Sequence, residues 1–185
     1  LPRHERGFFG RSDEIKSILE DLRSVEKKIL VICAPGGNGK TALVEAVLNS
    51  MKRKQFETYN WIFEWSFYNQ GVDQGLSSSD AFFEAIYAFL GMSFPPGPHA
   101  DRAAPLSHRL SEDRGLLILD GLEPLQSAPG DRTGAIYDTE LRRFLQRIQH
   151  SNSGCCIVTT RISPTDISGQ YKKSVSLYQL GNLRE

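Results

Sequence analysis

Two kinds of hydrophobic pattern alternate along the chain, and their order predicts an α/β fold. Short, continuous apolar runs rich in β-branched residues occupy 29–33, 116–119 and 155–160, and 59–67 and 174–178 also resemble strands. Runs of this kind are typical of strands buried on both faces of a sheet. Between them, apolar residues recur at three- and four-residue steps, which predicts helices over 12–25, 40–51, 79–90 and 141–148 and a short one around 106–110. We expect a three-layer α/β fold with a five-stranded parallel sheet flanked by helices.

Local signals set some of the predicted boundaries. Ser12 is expected to cap the first helix, since acidic residues follow it in the first turn. The proline-rich stretch 94–105 is expected to be a loop. The length of 185 residues fits one domain, 1–185, with an N-terminal segment and helix at 1–28 and a core at 29–185. Because the chain begins with Leu1 rather than Met, we expect a fragment of a larger multidomain protein.

Composition adds two exclusions. The 22 basic side chains balance the 22 acidic ones, so no overall field attracts nucleic acid or an acidic membrane. The three cysteines, Cys33, Cys155 and Cys156, lie inside apolar runs without the spacing of a metal site or a disulfide framework. With neither an apolar stretch near the ~18 residues of a membrane span nor a signal-peptide pattern, we expect a cytoplasmic protein that does not enter the membrane.

A glycine-rich loop lies between the strand at 29–33 and the next helix and reads APGGNGKT. In this position, successive backbone N–H groups can surround a phosphate, and the N-terminus of the helix adds its positive end. Lys40 would reach the β- and γ-phosphates, and the Thr41 hydroxyl would bind Mg²⁺. Ala34 stands where the usual pattern begins with glycine, so we expect a backbone there without positive φ. The predicted phosphate-binding residues are Pro35, Gly36, Gly37, Asn38, Gly39, Lys40, Thr41 and Ala42; the alternative is a glycine-rich turn that only caps a helix.

Two acidic residues follow the apolar strand at 116–119. Asp120 ends this run and would hold Mg²⁺ directly or through water, because a carboxylate at the end of a buried strand is costly unless it is paired. The alternative is a solvated aspartate that caps the next turn. Glu123 lies three residues later, close enough to orient or deprotonate an attacking water, or it is only a loop acid.

Other candidate residues follow strands or precede the first helix. Arg161 ends the run 155–160 and would sense a γ-phosphate with its forked donors, unless it forms an ordinary surface ion pair. Gly10 and Arg11, after Phe8 and Phe9, would place backbone and aromatic groups against a nucleotide base, or the phenylalanines form a hydrophobic latch. In the segment WSFYNQG, one of Tyr68, Asn69 and Gln70 is a candidate for contact with phosphate or water. The guanine-reading Asn-Lys-x-Asp pattern is missing from the sequence, which favours ATP over GTP.

In order, the segments FFGR, APGGNGKT, WSFYNQG, LLILDGLEPLQ and IVTTR resemble the STAND class of P-loop ATPases, near its NACHT and NB-ARC groups. The resemblance implies a sheet in the order 5-1-4-3-2. Matched by position, Gly10 and Arg11 resemble the motif before the first helix, Lys40 and Thr41 the Walker A pair, and Asp120 the Walker B magnesium aspartate. Glu123 resembles the second acidic position of NACHT-type segments, and Arg161 the sensor arginine.

The resemblance also implies a function. Such proteins rest with ADP bound, exchange it for ATP and oligomerise to activate an effector in signalling or defence. It implies a low-turnover ATPase with Mg²⁺ as cofactor, and helical lid, winged-helix, sensor and effector domains outside 1–185.

Other function classes stay open. An AAA+ or helicase-like motor would need an arginine finger and a partner substrate, and we see no basic, aromatic-lined channel for nucleic acid in the sequence. A scaffold that keeps the fold without using nucleotide, and a small-molecule kinase, are further alternatives; intact Lys40, Thr41 and Asp120 argue against the scaffold.

Overall fold

A computed structural model describes residues 10–53, 59–69, 79–97, 100–127, 133–151, 153–168 and 173–181. Within these residues, five strands form one sheet: β1 Ile29–Cys33, β2 Trp61–Ser66, β3 Gly115–Asp120, β4 Cys155–Thr160 and β5 Val175–Gln179. The order across the sheet is β2-β3-β4-β1-β5, and every pairing is parallel. This is the predicted order 5-1-4-3-2 read from the other edge, so the fold prediction is confirmed.

Helices cover both faces of the sheet. They are α1 Ser12–Arg23, α2 Lys40–Arg53, α3 Asp80–Phe89, α4 Ala103–Glu112, α5 Thr139–Ile148 and the short α6 Thr165–Ser168. Two 3-10 turns, Phe67–Asn69 and Glu123–Leu125, follow β2 and β3. No helix in the described part of the chain combines the length and apolarity needed to cross a bilayer.

Two apolar cores lie on opposite sides of the sheet, because side chains alternate along each strand. In β1, Ile29 and Val31 join the core that includes residues of α3, α4 and α5, whereas Leu30 and Ile32 join the core that includes residues of α1 and α2. The four residues are fully buried. Burial on both faces explains why the sequence here is a continuous apolar run.

Several predicted boundaries differ from the structure. Ser12 is the first residue of α1 rather than its cap: Arg11 holds the cap position, and its carbonyl accepts from the Ile15 N–H at 3.0 Å. The predicted loop 94–105 is too long, since α4 begins at Ala103 and includes Pro105. Proline fits there because N–H groups of the first helical turn have no partner within the helix.

Candidate functional site

The loop between β1 and α2 brings glycines into conformations that other residues rarely adopt. Gly37 and Gly39 have φ angles of +81° and +74°. Ala34 is buried and is not among the described residues with positive φ, and its N–H donates to the Thr160 carbonyl at 3.1 Å. Alanine is therefore compatible with the first position of this loop.

Lys40 folds over the loop that precedes it. Its Nζ donates to the carbonyl oxygens of Ala34 at 2.8 Å and Pro35 at 3.2 Å. The first turn of α2 contains no acidic residue, so the positive end of the helix is not offset by its own side chains. The loop thus presents an ammonium group and a helix N-terminus to the same space, which favours an anion.

Asp120 lies at the centre of a hydroxyl network. Its Oδ1 accepts from Thr159 Oγ1 at 2.7 Å and from Thr41 Oγ1 at 3.0 Å. The Thr159 hydroxyl also accepts from the Gly121 N–H at 2.9 Å. β3 and β4, paired in parallel, place the carboxylate and this threonine at the same edge.

The Thr41 and Asp120 oxygens fit a magnesium ion. Mg²⁺ prefers oxygen ligands at about 2.0–2.1 Å in octahedral geometry, which puts adjacent ligands about 3 Å apart; the observed separation is 3.0 Å. The described residues contain no group of three or more His, Cys, Asp or Glu side chains suited to a metal. Two protein oxygens match a cation that shares its remaining positions with phosphate and water.

Glu123, Tyr68 and Arg161 form a second cluster. Glu123 Oε2 accepts from the Tyr68 hydroxyl at 2.5 Å, and Glu123 Oε1 lies 3.7 Å from Arg161 Nε. The Arg161 guanidinium carbon lies 5.9 Å from the centre of the Tyr68 ring. Among the described residues, Glu123 Oε1 is buried and accepts no hydrogen bond. One carboxylate oxygen is thus held and the other is left with an ion-pair contact alone.

Burial and nearby charges raise the pKa values of two groups at this site. Burial, followed by the hydrogen bond and charge of Glu123, raises the pKa of Tyr68 to about 12, against an opposing effect of Arg161. Burial also raises the pKa of the Cys33 thiol, opposed by the Lys40 charge and reinforced by Glu123. Both groups are therefore neutral at pH 7.

A cleft of about 380 Å³ joins these features. Ligand pockets commonly have about 300–1,000 Å³. The cleft is lined by Gly36, Gly37, Gly39, Lys40, Thr41, Ala42, Tyr68, Asp120, Thr159 and Arg161. Arg161, the sensor candidate, lies against the phosphate loop, since a Cβ added to Gly36 would lie 3.4 Å from its guanidinium.

The remaining described candidates are not among the residues that line the cleft. The cleft lining does not include Pro35, Asn38 or Glu123. The first two are sequence neighbours of lining glycines, and Glu123 accepts a hydrogen bond from Tyr68, which lines the cleft. Arg11, only 3% exposed, pairs with Glu14 at 3.0 Å and donates to the Gly181 carbonyl at 2.6 Å. This contact places Arg11 and neighbouring Gly10 beside the chain that leaves β5, and neither residue lines the cleft.

Some sequence candidates cannot be placed. Phe8, Phe9 and Gln70 lie outside the described residues, and so does the side chain of Asn69. Thr159 was not singled out from the sequence, although it belongs to the same Thr-Thr-Arg run as Arg161. Its position at the end of a buried strand, beside the strand of Asp120, was the available signal.

The chain matches no protein-family model and no curated protein sequence. Its fold is similar to that of solved structures, including CDC6P from Pyrobaculum aerophilum, with a TM-score of 0.62, 17% identity and coverage of 96% of this chain and 48% of that one. The structure of Drosophila ORC bound to DNA has a TM-score of 0.56 and 17% identity, and the match covers 90% of this chain and 42% of that one. The structure of C. elegans PCH-2 has a TM-score of 0.51 and 12% identity, and the match covers 93% of this chain and 43% of that one. The chain thus spans less than half the length of these proteins.

These similarities define the class by fold alone: the chain has the five-stranded parallel α/β fold of P-loop NTPases. They support the P-loop part of the resemblance drawn from the sequence, and not specifically its STAND, NACHT or NB-ARC part.

Proposed function

We propose that the chain binds ATP and ADP with Mg²⁺ in the 380 Å³ cleft and hydrolyses ATP slowly. The observation that carries the proposal is convergence: Lys40, Thr41, Asp120 and Arg161, from three separate segments, line one cleft. Each supplies a group that phosphate or Mg²⁺ binds, namely an ammonium, two oxygens and a guanidinium. A scaffold with no use for nucleotide has no need of this set.

In this proposal, the glycine loop and Lys40 hold the phosphates, while Thr41 and Asp120 hold Mg²⁺. The ion would offset phosphate charge as the terminal phosphate leaves. Glu123 would orient the attacking water once Arg161 turns from Glu123 Oε1 towards the phosphate, because Tyr68 holds Oε2 while Oε1, buried beside Arg161, accepts no hydrogen bond. Gly10 and Arg11 stay candidates for contact with the base.

Arg161 makes the site sensitive to which nucleotide is bound. Its side chain is 55% exposed, its ion pair with Glu123 is long, and its guanidinium lies 5.9 Å from the Tyr68 ring, so phosphate would compete only with weak, solvent-exposed contacts. A hydrogen bond to a charged group contributes about 1.5–3 kcal/mol, enough to change a two-state population by roughly tenfold to a hundredfold. We therefore favour a molecular switch, in which ADP/ATP exchange controls self-oligomerisation and an effector through lid, winged-helix and sensor domains.

A motor of the AAA+ kind is the second candidate, favoured by the fold similarity to CDC6P, ORC and PCH-2. One of these structures is bound to DNA. A motor is expected to turn over continuously and to respond to its substrate. Stimulation of ATP turnover by duplex DNA, together with a nucleotide-dependent ring seen by light scattering, would favour it over the switch.

Single-turnover hydrolysis of radiolabelled ATP tests the proposal. We expect slow release of phosphate by the wild type and a further loss of about tenfold to a hundredfold in Arg161→Ala, from the lost charge-assisted hydrogen bond. Arg143→Ala is the matched control, because this arginine pairs with Glu140 on the exposed face of α5. Equal rates for Arg161→Ala and wild type would remove the sensor role, and no hydrolysis by the wild type would contradict the ATPase.

A further inference from the structure

A buried glutamine joins the two chain segments that carry Glu123 and Arg161. Gln126 is 6% exposed and follows the 3-10 turn that contains Glu123. Its Nε2 donates to the carbonyl oxygens of Gly134 at 3.1 Å and Ile162 at 2.9 Å. Its Oε1 accepts from Thr160 Oγ1 at 2.5 Å.

These partners fix the orientation of the amide. Both neighbours of Nε2 are carbonyl oxygens, which only accept, and the neighbour of Oε1 is a hydroxyl that can donate. Thr160 and Ile162 flank Arg161 on both sides in the sequence. The amide thus binds the backbone or side chain on each side of the arginine while its own main chain continues from Glu123.

The surrounding backbone strengthens this connection. Gln126 forms an isolated antiparallel bridge with Ile136, whose N–H donates to Asp166 at 2.6 Å. Gly134 has a φ of +83° and approaches the chain after Arg161 so closely that an added Cβ would lie 2.4 Å from the Ser163 carbonyl oxygen. The segment after β3 is therefore packed against the segment after β4.

We infer that Gln126 is a positioning residue that fixes the backbone from which the Arg161 side chain extends, and so the region that the guanidinium reaches beside Glu123 and the phosphate loop. It touches neither nucleotide nor Mg²⁺ and acts through the chain on either side of Arg161. The catalytic consequence rests on the proposed ATPase function, whereas the positioning itself does not. A change at Gln126 moves Arg161 and slows hydrolysis, while the affinity for ADP depends on Lys40 and Thr41 and is unchanged.

The test uses Gln126→Met, which keeps the length of the side chain and removes its amide. Gln149→Met is the matched control. Gln149 is 5% exposed and lies at the end of α5, so this variant also removes a buried amide, but at a different place in the fold. The first readout is the Nε–Hε NMR signal of Arg161, assigned with Arg161→Lys. We expect this signal to shift or broaden in Gln126→Met and to stay unchanged in Gln149→Met; an unchanged signal in both would overturn the inference.

The second readout is a double-mutant comparison by single-turnover hydrolysis. We expect Gln126→Met to lose about tenfold or more in rate, since small misplacements at a site cost up to about a hundredfold, with the affinity for ADP, which lacks the γ-phosphate, within about twofold of the wild type. In an Arg161→Ala background, the same change should cost nothing further. An equal loss in both backgrounds would show a merely structural role and would overturn the inference.

A second pair of variants covers the case in which Gln126→Met does not fold. Thr160→Val removes the hydroxyl that donates to Gln126 and also bonds with the Ile162 backbone, and Thr160→Ser restores it. We expect the Arg161 signal to move in the valine variant and return in the serine variant; identical signals would contradict the inference. If the wild type neither binds nor hydrolyses ATP, the proposed function fails, while the NMR comparison still decides whether Gln126 positions Arg161.

Discussion

The Thr159 hydroxyl organises the acidic centre of the cleft. It donates to Asp120, accepts from the Gly121 N–H, and belongs to a fully buried side chain. One small group therefore fixes both the carboxylate and the turn that follows it.

Thr159→Val tests this arrangement, since valine has a similar shape without the hydroxyl. The Gly121 N–H would lose its partner in a buried position, which costs about 1–3 kcal/mol. We expect a fall of this size in the free energy of unfolding, measured in urea, and a smaller fall for Thr159→Ser, which retains the oxygen. A valine variant as stable as the wild type would show that the hydroxyl has no such role.

The pKa of Tyr68 depends in part on its contact with Glu123. Its pKa is raised to about 12 from 10.0, first by burial and then by the hydrogen bond and charge of Glu123. A raised folded-state pKa means that the folded protein keeps a proton which the unfolded chain releases. The stability from this group is therefore fully present below about pH 10 and is lost as the pH rises towards about 12.

Glu123→Gln should lower the pKa of Tyr68, because it removes the charge while leaving the burial. Tyrosine ¹³Cζ NMR signals followed against pH measure this, with Tyr68→Phe identifying the signal. We expect the Tyr68 midpoint to move down in the glutamine variant and those of the other described tyrosines to stay. An unmoved Tyr68 midpoint would argue against the contact with Glu123.

Two chain elements meet at Gly121, between β3 and the turn that carries Glu123. This glycine has a φ of +73°, and an added Cβ would lie 2.1 Å from the ring of Tyr68. Tyr68 itself belongs to the 3-10 turn after β2. Glycine is required here both by backbone conformation and by the close approach of the neighbouring element.

Gly121→Ala and Gly91→Ala separate these two requirements. Gly91 also has positive φ, +63°, but nothing lies within 4 Å of its added Cβ. We expect a loss of about 1–2 kcal/mol for Gly91→Ala from backbone strain alone. For Gly121→Ala we expect about 1–3 kcal/mol more from overpacking against Tyr68. Unfolding in urea measures both, and equal losses would mean that the Tyr68 contact is without consequence.

For individual elements, the central strands β1, β3 and β4 were predicted from continuous apolar runs, because they are buried on both faces. The edge strands β2 and β5 are only partly buried and were predicted from less continuous patterns, as the larger helices were from their periodicity. Boundaries were less accurate where these patterns are weak. Pro105 was assigned to a loop because proline usually ends helices, yet it is accommodated in the first turn of α4. The prediction that Ser12 caps α1 was wrong, because Arg11 occupies the cap position, and the Arg11 side chain donates to the Gly181 carbonyl.

For the whole molecule, the strand order followed from the family resemblance and is confirmed, with β4 between β1 and β3. This order explains why Lys40, Asp120 and Arg161 meet, since they follow or end three neighbouring strands. The sequence did not predict the contacts of Gln126. It also did not predict the hydrogen bond from Arg11 to the Gly181 carbonyl, 170 positions away in the sequence. Such contacts depend on loop geometry, and isolated polar residues in loops leave no periodic pattern from which to predict them.

Calorimetric titration of the chain with Mg-ATP, Mg-ADP and Mg-GTP tests most directly whether this cleft is a nucleotide site. Lys40→Ala removes the ammonium that covers the phosphate loop, and Lys52→Ala, in the last turn of the same helix, is the control. We predict binding of adenine nucleotides by the wild type and Lys52→Ala, and an affinity lower by about tenfold to a hundredfold in Lys40→Ala. Unchanged affinity in Lys40→Ala, or no binding by the wild type at millimolar nucleotide, would contradict the account.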